Sequence, residues 1–140
     1  MKKAVAVFDQ TSSGQGPVAG SETSDVGGTV TFSQKENDVL THVQGSIQGL
    51  EPGAHALIVH EFGDIRMGSN STGGPFKPAA KDGVIANITA NHRGKAIFDL
   101  NEKIPLSEKD SVIGRGLVVH EKPSPDSGDG VGWCIIGLEG

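Results

Sequence analysis

The chain has 140 residues, a formal net charge of −5, 21 glycines and 7 prolines. That length suits one domain, residues 1–140, around a single buried core. No cluster of Lys or Arg offers a footprint for nucleic acid and no apolar run is long enough to span a membrane, so neither partner is expected.

Short β-type runs recur between turn signals along the chain. The apolar stretch after Lys2-Lys3 ends at Asp9, too short for a secretory signal, so a cytoplasmic location is expected. Its alternation makes Lys3 to Phe8 a first strand. Gln10 to Gly28 is rich in Ser, Thr and Gly and reads as a long flexible loop. Thr29-Val30-Thr31-Phe32 is a clear strand, and His42 to Ile47 and His55 to His60 follow as two more. Val84 to Ala90 and Lys95 to Leu100 flank Asn91-His92-Arg93-Gly94, which reads as a hairpin turn. Val112-Ile113 and Leu117-Val118-Val119 are also β-rich, and Gly132 to Leu138 is the last strand. Between them Lys122 to Gly130, with two prolines, reads as a second loop. No long window keeps helical spacing. The expected fold is therefore all-β, a sandwich or barrel. The single cysteine, Cys134, excludes an intrachain disulfide and reads as a small buried hydrophobe.

Three stretches carry a resemblance to a known family. They are Gly45-Ser46-Ile47-Gln48-Gly49-Leu50 with Pro52-Gly53-Ala54-His55; Val59-His60-Glu61-Phe62-Gly63-Asp64 continuing to Gly73-Gly74-Pro75-Phe76-Lys77-Pro78; and Ile113-Gly114-Arg115-Gly116-Leu117-Val118-Val119-His120-Glu121-Lys122. In this order they resemble the copper/zinc superoxide dismutases. Weaker similarity at Ala4-Val5-Ala6-Val7 and Ile135-Ile136-Gly137-Leu138 extends it over most of the chain. The resemblance implies an eight-stranded Greek-key β-barrel, an Ig-like sandwich in outline, with shortened zinc and electrostatic loops. A kept barrel with lost ligands is also similar to poxviral dismutase-like proteins.

The family's metal chemistry needs several imidazoles to fix a copper geometry. By the resemblance, His60 and His120 match two copper histidines, Ile58 stands where another belongs, and Pro75 stands at the histidine that bridges copper to zinc. The interval Ala79-Ala80-Lys81-Asp82-Gly83 replaces the zinc loop and holds no histidine; Asp82 alone does not make a zinc site. After Lys122 the interval to Cys134 has no basic residue but holds Asp126 and Asp129, so an anion would be repelled rather than steered.

These losses lead to the expectation of an inactive homologue with no catalytic residues. No cofactor is expected and no zinc; the alternative is a residual copper-binding protein or weak superoxide dismutase using the vestigial ligands His60 and His120. His55 matches a structural histidine that needs hydrogen-bond partners, and Arg115 is read as structural. Phe62, Gly63, Ile113, Gly114, Ile136 and Leu138 match the family's dimer-forming patch. A retained apolar patch marks an interface, so a homodimer is expected, or contact with a dismutase subunit or a copper chaperone.

Overall fold

Side chains along a strand alternate between two faces, so the pattern of burial reports which side meets the core. The computed structural model describes residues 1–9 and 24–139. Strand β1 (Lys2–Phe8) buries Ala4, Ala6 and Phe8. Strand β2 (Gly27–Gln34) buries Val30 and Phe32, and β3 (Thr41–Gln48) buries Val43 and Ile47. The following strands are β4 (Gly53–His60), β5 (Val84–Ala90), β6 (Ala96–Glu102), β7 (Gly116–His120) and β8 (Gly130–Leu138). The helical content of the described residues is one short 3-10 turn, Gly68–Ser71.

All eight strands join one antiparallel sheet in the order β5-β4-β7-β8-β1-β2-β3-β6. The sheet curls into a nearly closed barrel. Strand β8 turns the corner. Its first part pairs with β7, from His120↔Gly130 to Gly116↔Ile135, and its last residues pair with β1 at Ala6↔Ile136 and Ala4↔Leu138. The core fills the space between the two halves: Phe32, Val30 and Ile47 belong to one, and Leu57, Val59, Leu117 and Val119 to the other.

The eight-stranded all-β barrel is the expected one, with three local corrections. Asn91 to Gly94 does form a tight turn, its Asn91 Oδ1 accepting from the amides of Arg93 and Lys95. The strands it joins are not ladder partners, however, because β5 pairs with β4 and β6 pairs with β3. The turn thus connects the two free edges of the sheet. Gly94 is required there, with φ of +80° and the Leu50 carbonyl so close that a Cβ would overlap it. Val112 and Ile113 are not a strand; Val112 plugs the core from a loop and Ile113 packs beside it. Of the loop expected over Gln10 to Gly28, residues 10–23 lie outside the described residues, while Gly27 and Gly28 belong to β2 and pair with Gln48 and Ile47.

Leu117 has no exposed surface, whereas Ile97 on the outer face of β6 is 75% exposed. In urea unfolding, Leu117→Ala should cost about 2–5 kcal/mol through lost contacts and a cavity. Ile97→Ala should stay within about 0.5 kcal/mol. Equal costs would show that the core does not run through β7.

Candidate functional site

Most strands of this barrel have one wet face, but two do not. All five residues of β7 are buried, and so are the last six of β4. Such continuous burial means that both faces are covered. Leu57, Val59, Leu117 and Val119 point into the barrel core. The alternate positions Ile58, His60, Val118 and His120 therefore share the outer face, with Ile58 directly opposite Val118. A bulge in the β4–β5 ladder lies at Leu57/Ile58, and another in the β7–β8 ladder at Val119/His120. Such irregularities re-aim the side chains beside them.

Two loops cover this face. The segment after β4 doubles back so that Pro75 bridges to His60, with the Glu61 amide donating to the Gly74 carbonyl and the Phe76 amide to the Val59 carbonyl. The segment before β8 is closed by the Glu121 amide donating to Asp129 O and the Lys122 amide to Ser127 O. Gly130 lets the two approach, because a Cβ there would meet the side chains of Ser69 and Val118.

Beneath the loops the structure brings His60 and His120 together. Their Nε2 atoms are 3.0 Å apart. His60 Nδ1 lies 2.8 Å from the Gly73 carbonyl oxygen, and His120 Nδ1 lies 2.9 Å from that of Gly128. A carbonyl only accepts, so both Nδ1 atoms carry hydrogen and donate. Each ring then presents its Nε2 to the other. With both Nδ1 atoms donating, two bare Nε2 lone pairs face each other at that separation, and an N–H between them would make one ring an imidazolium. Burial pushes the His60 pKa below 6.5, opposed by its bond to Gly73 and reinforced by charge on His120.

The ring centroids are 5.2 Å apart and the planes differ by 20°. The excess of the centroid separation over the 3.0 Å nitrogen separation is close to two imidazole radii. The rings thus meet head to head and nearly coplanar, not face on face.

The other expected site residues fall around this pair. Ile58 is buried on the same face and supplies no donor atom. Pro75 is exposed and lends only backbone. Asp82 stands in an exposed turn at φ of +53°. Among the described residues, no three His, Cys, Asp or Glu side chains converge on a point where a metal ion could sit. A surface cavity of about 520 Å³ lies against His55 and is bordered by Asp25, Glu51, Glu121 and Asp129, without a Lys or Arg among its described lining residues. Its field disfavours anions.

A copper or zinc ion was tested against this donor set. An ion held about 2.0 Å from each imidazole would need nitrogens about 4 Å apart for a linear arrangement. A bent arrangement accommodates 3.0 Å, but its rings would aim at a point beside the line joining the nitrogens rather than at each other. It would also need further ligands where Ile58 and Pro75 stand. The residues present do not fit a copper/zinc centre.

His55 has the structural role expected of it, its Nδ1 lying 2.7 Å from the His120 carbonyl and its Nε2 2.6 Å from that of Glu51. Arg115 is structural as well. Its guanidinium donates to the carbonyls of Ser111, Glu61 and Lys109 and lies 3.6 Å above the Phe76 ring. His42 pairs with Asp99 on the outer face of β3 and β6. Cys134 is buried, and burial pushes its thiol pKa up, so the thiolate is suppressed.

Of the six residues expected at an interface, Phe62 and Leu138 are 57% and 62% exposed. Gly63 and Gly114 touch, since a Cβ on Gly63 would overlap the Gly114 carbonyl and meet Ile135. Ile113 is half-buried. Ile136 is a correction: it is wholly buried because its side chain faces the core opposite Ala6. Its neighbour Ile135, which alternation turns outward, is the exposed one at 42%. Residue reading also missed the carbonyls of Gly73 and Gly128 that fix the two histidines. A glycine in each loop is the signal that backbone approaches closely there, but it does not name the partner.

The family model described as copper/zinc superoxide dismutase (SODC) matches residues 26–132, from the approach to β2 into the start of β8.

The loop after β4 carries its own ion pair, Asp64 with Arg66 at 2.8 Å, and Asp64 Oδ1 also accepts from the Arg66 amide. The Arg66 guanidinium and amide hold the Asp64 carboxyl down to about 2, from 3.8. A depressed carboxylate stabilises the fold fully above pH 3.8 and loses that contribution as pH falls through about 2. The carboxyl ¹³C shift of Asp64 should titrate near pH 2; a midpoint near 4 would show the pair with Arg66 absent in solution.

Proposed function

This chain belongs to the copper/zinc superoxide dismutase family, and we propose that within it the chain is a non-catalytic barrel, residues 1–140 as one domain, that acts in the cytoplasm through protein contact. The single observation that carries this reading is the His60–His120 pair. The two histidines that match copper ligands spend their Nδ1 atoms on Gly73 and Gly128 and their Nε2 atoms on each other. Ile58 and Pro75 add nothing that could complete a redox site. A dismutase must cycle copper between two oxidation states, which requires a geometry fixed by several ligands. The acidic cavity beside His55 also disfavours an anionic substrate.

What remains for function is surface. Phe62, Gly63, Gly114 and Ile135 adjoin one another, and Leu138 extends the apolar character of β8. Exposed large apolar side chains gathered in this way favour a docking role. A second copy of this chain, a dismutase subunit or a copper chaperone are the partners this surface would suit. Arg115 holds the Glu61 carbonyl next to Phe62, so the patch is presented on a fixed loop.

A second reading is weak copper binding at His60 and His120. One observation favours it: a carbonyl on Nδ1 is the arrangement that orients metal-binding histidines. It requires calorimetric copper binding that disappears in the His60→Ala, His120→Ala double variant.

Protein contact is tested by sedimentation. The wild-type chain should form a dimer at micromolar concentration, or capture a dismutase subunit or copper chaperone from a defined mixture. Phe62→Glu should weaken either complex at least about tenfold, as loss of an aromatic anchor does, without changing the melting temperature. A monomer that captures neither partner contradicts the reading.

A further inference from the structure

The barrel carries a cavity that His60, His120 and Phe62 do not line. It holds about 520 Å³ between the approach to β2, the turn after β3, the Ser69–Asn70 turn, and β8 with the loop before it. Pockets that take a small ligand or a side chain fall within roughly 300–1,000 Å³. The floor is apolar, made by Val26, Leu50, Val131 and Trp133. The rim carries the exposed carboxylates of Asp25, Glu51, Glu121 and Asp129, and no described lining residue is Lys or Arg. We infer that this cavity is a docking groove for an arginine-bearing segment of a partner protein, with a guanidinium held between the Trp133 ring and the acidic rim.

The walls are built into the fold. Ser24 Oγ donates to the Val131 carbonyl at 2.7 Å and accepts from the Val26 amide, which holds the approach to β2 against β8. Val26 lies so close to Gly132 that a Cβ there would stand 2.7 Å from it. Gly49 has φ of +84°, and a Cβ on it would overlap the Asp25 carbonyl, so the turn that carries Leu50 and Glu51 sits directly against Asp25. His55 Nε2 lies 2.6 Å from the Glu51 carbonyl beneath that turn. On the far wall the Glu121 amide donates to the Asp129 carbonyl, and Glu121 Oε1 accepts from the Asp129 amide. A groove whose backbone is already fixed spends little binding energy on its own ordering.

Trp133 and the rim set the occupant. Trp133 stands opposite Val118 in the ladder, on the outer face of the sheet, and is half-buried. A guanidinium is planar, stacks on an aromatic face and donates to carboxylates as a fork. Its aliphatic stem covers apolar surface such as Val131 and Leu50. An ammonium is a compact, strongly hydrated charge with no flat face to offer the indole. Charge complementarity excludes an acidic partner. The segment 10–23 that precedes Ser24 adds Glu22 and no Lys or Arg, so the chain's neighbouring sequence does not supply the cation. Glu51, Glu121 and Asp129 take part in neither ion pair of the described residues, Asp64–Arg66 or His42–Asp99. This surface is separate from the Phe62 patch, and its test does not require that patch to bind.

Trp133 is the only tryptophan and tyrosine is absent, so the intrinsic fluorescence of the full-length wild-type protein reads the groove directly. The probe is the capped peptide acetyl-(Gly-Arg)3-amide at low salt, beside its Gly-Glu counterpart and spermidine. The arginine peptide should change Trp133 emission saturably, the acidic peptide should not, and spermidine should bind at least about tenfold more weakly. Glu51→Gln with Asp129→Asn should weaken the arginine peptide at least about tenfold through two lost charge-assisted contacts. Glu36→Gln with Glu108→Gln removes the same charge at residues that do not line the groove, and should change affinity by less than about twofold. No emission change, or an equal loss in the two double variants, overturns the groove. Spermidine binding as tightly as the peptide overturns the protein segment as its occupant. Should the first double variant fail to fold, the wild-type complex decides: nuclear Overhauser contacts between the Trp133 indole and the arginine side-chain methylenes support the groove, and their absence at saturating peptide overturns it.

Discussion

Burial of β4 and β7 on both faces is the constraint on which the rest of this structure depends. A barrel strand normally spends one face on the core and leaves the other to water. Here the outer face holds Ile58, His60, Val118 and His120, and something must cover it. The two loops that do so bring backbone carbonyls against buried imidazoles. Buried polar groups need partners, and the described side chains leave none of theirs unpaired. The polar layer is thus self-sufficient within the chain.

That self-sufficiency separates family architecture from family chemistry. Membership of the copper/zinc superoxide dismutase family accounts for the eight-stranded all-β barrel. It does not account for what His60 and His120 touch. The same Nδ1–carbonyl bond that would orient a metal ligand here orients one ring toward another. A redox metal needs further ligands, and Ile58 and Pro75 supply none. Ile58 and Pro75 add no donor atom beside the two histidines, while Leu57, Val59, Leu117 and Val119 fill the barrel core.

Much of the fold was legible in the sequence. Period-two runs such as Lys3 to Phe8 and Val84 to Ala90 fall within one residue of their strands. Val112-Ile113 misled because β-branched residues also plug a core from a loop, where no ladder exists to order them. Ile136 was read as surface from its motif, yet alternation along β8 turns it inward and Ile135 outward. His60 and His120 were legible as candidates, sixty residues apart. Their contact was not, because it depends on the pairing of β4 with β7 and on two loop carbonyls that no side-chain pattern records.

On the proposed reading this donor set is expected not to sustain copper redox chemistry. The most direct measurement is superoxide loss catalysed by the purified protein after loading with copper, set against the same copper under chelator without protein. The account predicts no rate above that background. A fast rate that depends on the protein and disappears in the His60→Ala, His120→Ala double variant would contradict it and return the chain to the enzymes of its family.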